Sequence, residues 1–430
     1  MNQVKDLGQK KLTNGFEGLT NVRFNVIKNS PLPMQYLGSK SRISQWIGDR
    51  IFEHFPGTNH IVDLFAGSGV VSIDAITRGA TVTANDIQPY AYCVLKALFV
   101  SHRQNLHNLI EYLESLDVKK ELLAGGRNDF DNMLDLEDHY LNDTSSDFNW
   151  KEYAKFCDNT VLINDNNVIA DLKTFNDWNL ISKYYANTYF GVRQCLELDM
   201  LRELADGLDE DLKVQLMGAV ISSMTYLVSS TTHLAQYLKI SSPKTAKNLI
   251  EKRKGSIIKE AISRLKKLMQ FGEKTGNSIL NLDYLDALQN KFYSGSTVVY
   301  ADPPYFKEHY SRYYHLLDTY YFYDFPELTY NPRINGITTG RYRKDRIVSD
   351  FGLKSKVKKA FRNLFKETAK QQLPVVLSYA STSLVKKEEL VEIGESEGYQ
   401  ISIFITELMH SGQGKKRNKK VLEYLFICSA

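Results

Sequence analysis

The run "NHIVDLFAGSGVVSIDAI", Asn59 to Ile76, limits the fold of this chain more than any other stretch. A β-rich segment, Asn59 to Val62, leads into a glycine-rich turn and then into a helix-forming segment, the opening of a nucleotide-binding α/β unit. Gly67 and Gly69 let the backbone pass close to a ligand, where any side chain would collide. The next run, "GATVTANDIQPYAYCVLKAL", supplies a second strand, Ala80 to Ala84, then Asp86, then a helix from near Pro89. An acid at the end of the second strand, about 20 residues after the glycines, is where ribose hydroxyls are held. The competing reading of Asp86 is a helix N-cap, which aspartate also favours.

A second constraint is "TVVYADPPYF", Thr297 to Phe306. Pro303 and Pro304 donate no backbone N–H and fix φ, so the strand through Val298 to Tyr300 must stop there with a stiff end. Such an end holds the Asp302 carboxylate and the Tyr305 ring in fixed positions. Strand ends of this kind are where open α/β sheets bind ligands.

At 430 residues, 43% hydrophobic and 24% charged, the chain is long enough for a catalytic domain and a second lobe. Its four cysteines, Cys93, Cys157, Cys195 and Cys428, lie far apart and form no CxxC, which indicates neither a disulfide framework nor a zinc site. No metal is expected. The N-terminal run MNQVKDLGQKKL lacks an apolar core, and no apolar run approaches the roughly 18 residues of a bilayer span. The expectation is a soluble, cytoplasmic protein without a membrane partner. A net charge of +4 does not by itself predict a polyanionic partner, but basic residues concentrate in Lys239 to Lys267, Arg341 to Lys366 and Lys415 to Lys420. Separate basic stretches can present a cationic groove on a nearly neutral protein.

Beyond about residue 100 the pattern becomes helical with polar interruptions, through "RQCLELDMLRELADGL" and "LKVQLMGAVISSMTYLV". Strand signals resume at "NSILNLDYLDAL", "STVVYADPPY", "QLPVVLSYAST", "YQISIFITEL" and "KVLEYLFIC". The simplest organisation is an extension, residues 1–30, and one α/β domain in two parts, 31–100 and 276–430, interrupted by a mainly helical insert, 101–275. The sheet should be mostly parallel and finish in an antiparallel hairpin, Ile401 to Thr406 with Val421 to Ile427.

"QYLGSK" ahead of "FAGSG", followed much later by "DPPY", resembles the S-adenosylmethionine-dependent DNA N6-adenine methyltransferases. The order of glycine motif, inserted recognition domain and DPPY is that of the Dam-type class. The motifs cover residues 34–100 and 278–430, and "NTYFGVRQCLELDMLR" and "STTHLAQYLK" extend the likeness into the insert. The resemblance implies a Rossmann-like class I methyltransferase domain, S-adenosyl-L-methionine as cofactor and double-stranded DNA as substrate. It also implies a restriction-modification, phage or mobile-element setting; a cognate restriction endonuclease would fit such a system, but the resemblance implies no direct contact with one and the sequence does not reveal whether one exists. By the same resemblance Tyr36, Gly38 and Lys40 match the N-terminal cofactor motif, the lysine meeting the cofactor's methionine carboxylate. Asp63, Phe65, Gly67 and Gly69 match the glycine motif, with the acid near the methionine amino group. Asp86 matches the ribose acid. Asp283, nineteen positions before Asp302, matches the acceptor of the cofactor's adenine amine, with Tyr284 beside that ring. Asp302, Pro303, Pro304 and Tyr305 match the catalytic tetrapeptide.

The implied chemistry needs these residue types. The lone pair of adenine N6 is delocalised into the ring, so the amine is a poor nucleophile. If Asp302 and the Pro303 carbonyl accept its two N–H bonds, the nitrogen can become tetrahedral and aim its lone pair at a sulfonium methyl. Tyr305 would stack on the flipped base. The helical insert is the natural reader of base edges, and Arg312, Arg341, Arg343, Lys344 and Arg346 are expected to contact DNA. The alternatives are an RNA N6-adenine or DNA N4-cytosine methyltransferase, or a non-catalytic nucleic-acid-binding module on the same fold.

Overall fold

The structure, a computed structural model, describes residues 30–35, 38–123, 127–143, 145, 148–172, 178–231, 233–291, 293, 296–304, 310–411 and 418–429. Its centre is a sheet of seven strands among the described residues: β1 (His60–Asp63), β2 (Thr81–Asn85), β3 (Ser278–Leu280), β4 (Thr297–Ala301), β5 (Val375–Ala380), β6 (Gln400–Ser411) and β7 (Asn418–Ser429). They lie in the order β3-β2-β1-β4-β5-β7-β6. The pairs from β3 through β5 are parallel, while β7 runs antiparallel to both β5 and β6. Every residue of β4 and β5 is buried, the near-continuous apolar reading of strands covered on both faces.

The strand order reverses at β1, whose neighbours are β2 on one side and β4 on the other. A crevice opens where the order reverses, at the carboxyl ends of the strands. Because Asp63 pairs in register with Tyr300, the end of β1 stands beside the residues that follow β4, Asp302 among them.

Around the sheet lie α1 (Ser44–His54), α2 (Val70–Thr77), α3 (Pro89–Phe99), α4 (Val192–Asp206), α5 (Glu210–Leu227), α6 (Ile257–Phe271), α7 (Tyr310–Phe322), α8 (Val357–Lys370) and α9 (Lys387–Ser396). One core unites Val82, Val94 and Leu98 with Val220, Met224 and Leu265, so α5 and α6 close over the face that α3 covers. A Cβ on Gly218 of α5 would lie 2.9 Å from Ala97 Cβ on α3, which is how closely the two helices cross. The opposite face packs Val62, Val299 and Leu377 against Phe361, Leu364 and Phe365 of α8.

Two local readings change. The strand signal at "NSILNLDYLDAL" holds only over Ser278–Leu280, because Asp283 accepts a hydrogen bond from the Leu285 N–H at 3.0 Å and caps a helix, Tyr284–Gln289. The final hairpin is longer than its apolar cores, since β6 and β7 stay paired from Gln400–Ser429 to Ser411–Asn418. Among the described residues no helix is long and apolar enough to cross a membrane.

Candidate active site

Gly67 and Gly69 take left-handed φ angles of 52° and 74°, turning the chain sharply from β1 into α2. The turn is tied down by Asp86, one of whose oxygens accepts from the Gly67 N–H at 2.9 Å and the other from the Gln88 N–H at 2.8 Å. Burial raises this carboxyl to about 6 despite those bonds. Asp63 is equally buried. Its Oδ2 accepts from the Ser72 hydroxyl at 2.7 Å, and its Oδ1 is buried with no hydrogen-bond partner among the described residues. Burial first, opposed by the Ser72 bond and then reinforced by the charges of Asp302 and Asp86, pushes Asp63 up to about 7. A buried acceptor left unpaired at a cleft is a place for a cationic or N–H donor.

Lys40 is 2% exposed on the short turn Lys40–Arg42. Its Nζ lies 2.7 Å from Asp302 Oδ1, 3.3 Å from Glu423 Oε1 and 3.3 Å from the Gly38 carbonyl. Burial raises Asp302 to about 6; the Lys40 charge opposes that rise and the Glu423 charge adds to it. Glu423 sits on β7 across from Ala380 and is fully buried. Nothing in "KVLEYLFIC" separates this acid from an ordinary outward-facing strand residue, because its partner is 383 positions away.

Lys40, Asp63, Asp86 and Asp302 wall an open cleft at the carboxyl ends of the strands. Phe65, Ile87, Pro304 and Val348 supply its apolar surface, and Lys40, Asp63, Asp86 and Asp302 its charges. Pro303 is buried beside it. Asp283 is half-buried at its helix cap. Tyr284 lies deeper than the adenine-facing position expected of it: its ring stacks on Phe65 at 6.1 Å and its hydroxyl donates to the Ala360 carbonyl at 3.2 Å. Phe65 therefore meets the cleft and Tyr284 backs it. Tyr36 and Tyr305 lie outside the described residues.

The cations expected at DNA divide into two kinds. Arg341 is buried, donating to Asn164 Oδ1 at 2.7 Å and to the Ile163 carbonyl. Arg343 is buried as well, 3.0 Å from Asp324 and 2.9 Å from Asp345, with its guanidinium 5.0 Å over the Phe322 ring. Both are corrected from DNA contacts to internal struts; charge and position reveal nothing of burial, and Asp324 and Asn164 are distant in sequence. Lys344 is exposed and paired with Glu327 at 2.7 Å. Arg312 and Arg346 both lie over the Tyr342 ring, at 5.2 and 5.3 Å, and Arg312 donates to its hydroxyl at 3.1 Å. Tyr342 as the platform for two guanidiniums was not legible in the sequence.

A parallel sheet reversing at β1, a glycine turn with two buried acids, and a lysine-bound carboxylate after β4 together make the cleft of a class I methyltransferase. The chain belongs to the D12 class N6 adenine-specific DNA methyltransferase family, whose model matches residues 36–393, and is accordingly an adenine-specific DNA methyltransferase. It is 22% identical over 398 residues to the type II methyltransferase M.CviAII of Paramecium bursaria Chlorella virus 1, covering 91% of this chain and 97% of that one. It is 25% identical to M.NlaIII of Neisseria lactamica, covering 92% and 98%. Against M.FokI of Planomicrobium okeanokoites the identity is 22%, over 91% of this chain and 52% of the other.

Proposed function

We propose that this enzyme transfers a methyl group from S-adenosyl-L-methionine to N6 of an adenine flipped out of duplex DNA, as the modification half of a restriction-modification system. The observation that carries the reading is the unpaired buried oxygen of Asp63 in one cleft with the Lys40–Asp302 pair. An α-amino acid zwitterion fits that donor set: its ammonium on Asp63 and its carboxylate toward Lys40. Phe65 and Ile87 offer apolar walls for the adenine, and Asp86 fixes the glycine turn beneath the ribose. When bound, the cofactor supplies an electrophilic methyl.

Asp302 then accepts one N6–H bond of the target adenine, with the carbonyl after it as second acceptor, and the prolines keep both aimed because neither donates an N–H that would compete. Removing the base from the helix costs a few kcal/mol, which stacking on Tyr305 offsets by roughly 1–3 kcal/mol. Target recognition we assign to the helical segment 101–275 between the two parts of the methyltransferase domain, and phosphate contacts to Arg312, Lys344 and Arg346. The full-length correspondence with proteins named type II methyltransferases supports the restriction-modification setting.

Single-base mapping of methylation in plasmid DNA from cells expressing the protein, beside an Asp302→Ala control, tests the reading. N6-methyladenine at one short motif, absent in the control, is the expected result. No adenine methylation by a protein that still binds S-adenosylmethionine and RNA would replace DNA by RNA as substrate.

A further inference from the structure

Glu423 is a charged residue in the middle of a sheet, between β5 and β6, with no exposure at all. A glutamate there carries a desolvation cost that a partner charge must offset. Neither carboxylate oxygen receives a well-aligned hydrogen bond among the described residues. Its cation is Lys40, at 3.3 Å, and that same ammonium lies 2.7 Å from Asp302. One ammonium thus stands between two carboxylates, one just after β4 and one within β7, 121 positions apart. Stability gives no reason for the arrangement, because replacing a buried ion cluster by apolar side chains is often neutral or stabilising.

We propose that Glu423 is a positioning residue for methyl transfer: it holds the Lys40 ammonium at the cleft and shares its charge, so that Asp302 stays a strong hydrogen-bond acceptor. This rests on the role given to Asp302 above. Without Glu423, more of the Lys40 charge would fall on Asp302 and weaken the oxygen that must accept the N6–H. The other groups facing Asp302 are Asp63 from β1 and Tyr300 from β4, whose hydroxyl is engaged by Ser378 of β5, with Asp86 beyond Asp63. Glu423 is the anion that competes for the same lysine.

The test is Glu423→Gln, which keeps the shape and removes the charge. The ionisation of Asp302 is read on protein without cofactor, from the carboxyl infrared band that disappears in Asp302→Asn. Its midpoint should move down by about one pH unit, and the acid limb of the single-turnover methylation rate should move with it while the plateau falls roughly tenfold. A folded Glu423→Gln protein with both midpoints and the plateau unchanged overturns the proposal. If that chain does not fold, Glu423→Asp decides. Drawing the carboxylate back by one methylene should give the same downward shift at smaller size, and wild-type midpoints and rate overturn the proposal. If Asp302→Ala methylates DNA normally, the role of Asp302 fails, whereas the infrared midpoints still report whether Glu423 governs its charge.

Discussion

At the scale of single residues, the cleft carries three acids, Asp63, Asp86 and Asp302, and a fourth, Glu423, shares Lys40 with Asp302. Burial raises the proton affinity of each. An acid with a raised folded-state pKa binds its proton more tightly in the native state, so its stabilising contribution is full below the unfolded value near 4 and is lost as pH rises through the folded one. For Asp63 that window runs from about 4 to about 7. Asp63→Asn should therefore raise stability at pH 8 by about 1–3 kcal/mol in denaturant unfolding, while abolishing cofactor binding in calorimetry. A variant as unstable as the wild type at pH 8 would contradict the charge assigned to this carboxyl. Activity follows the opposite sign, since Asp302 is a strong acceptor only when ionised: with the cofactor saturating, kcat should fall below about pH 6, not below the ordinary aspartate value of 3.8. The glycine turn and the DPP end were legible here because backbone conformation is written in Gly and Pro themselves. The partner of Lys40 on β7 was not, because pairing across a sheet is a property of register.

At the scale of elements, two contrasts are measurable. Arg343→Ala removes the shared partner of Asp324 and Asp345 and the cation over Phe322, and should cost about 1–3 kcal/mol of stability. Arg312→Ala touches the rim, and should leave stability nearly unchanged while lowering the salt slope of DNA binding by about one. Equal melting temperatures for the two variants would show that Arg343 is no strut. The α3–α5 crossing makes a second contrast. At Gly218 a Cβ already meets Ala97 at 2.9 Å, so Gly218→Leu should force the helices apart at a cost of roughly 2–4 kcal/mol, read in denaturant melts. The helical periodicity of "LKVQLMGAVISSMTYLV" showed that this segment is a helix; it could not show that its glycine is a contact, since that depends on what crosses it.

At the scale of the whole molecule, the helices α4, α5 and α6 share one hydrophobic core with β2 and α3. Segments that bury the same side chains cannot unfold independently. Thermal unfolding followed by calorimetry should accordingly show a single cooperative transition, with equal calorimetric and van't Hoff enthalpies. Two resolved transitions would mean that 101–275 is a separate folding unit.

The sequence by itself determined the strand–glycine turn–helix opening, the stiff strand end after Tyr300, the mostly parallel sheet and its final hairpin. Each is written in local backbone preference or in the period of apolar residues, and neither needs a distant partner. Only the tertiary structure decided which charges face the cleft and which are buried as struts. Lys40 and Arg343 are both basic residues in polar stretches. One meets Asp302 after β4 and Glu423 within β7, and the other meets Asp324 and Asp345. Burial and electrostatic partnership arise from the strand order and from helices crossing it, so no single stretch of chain contains them.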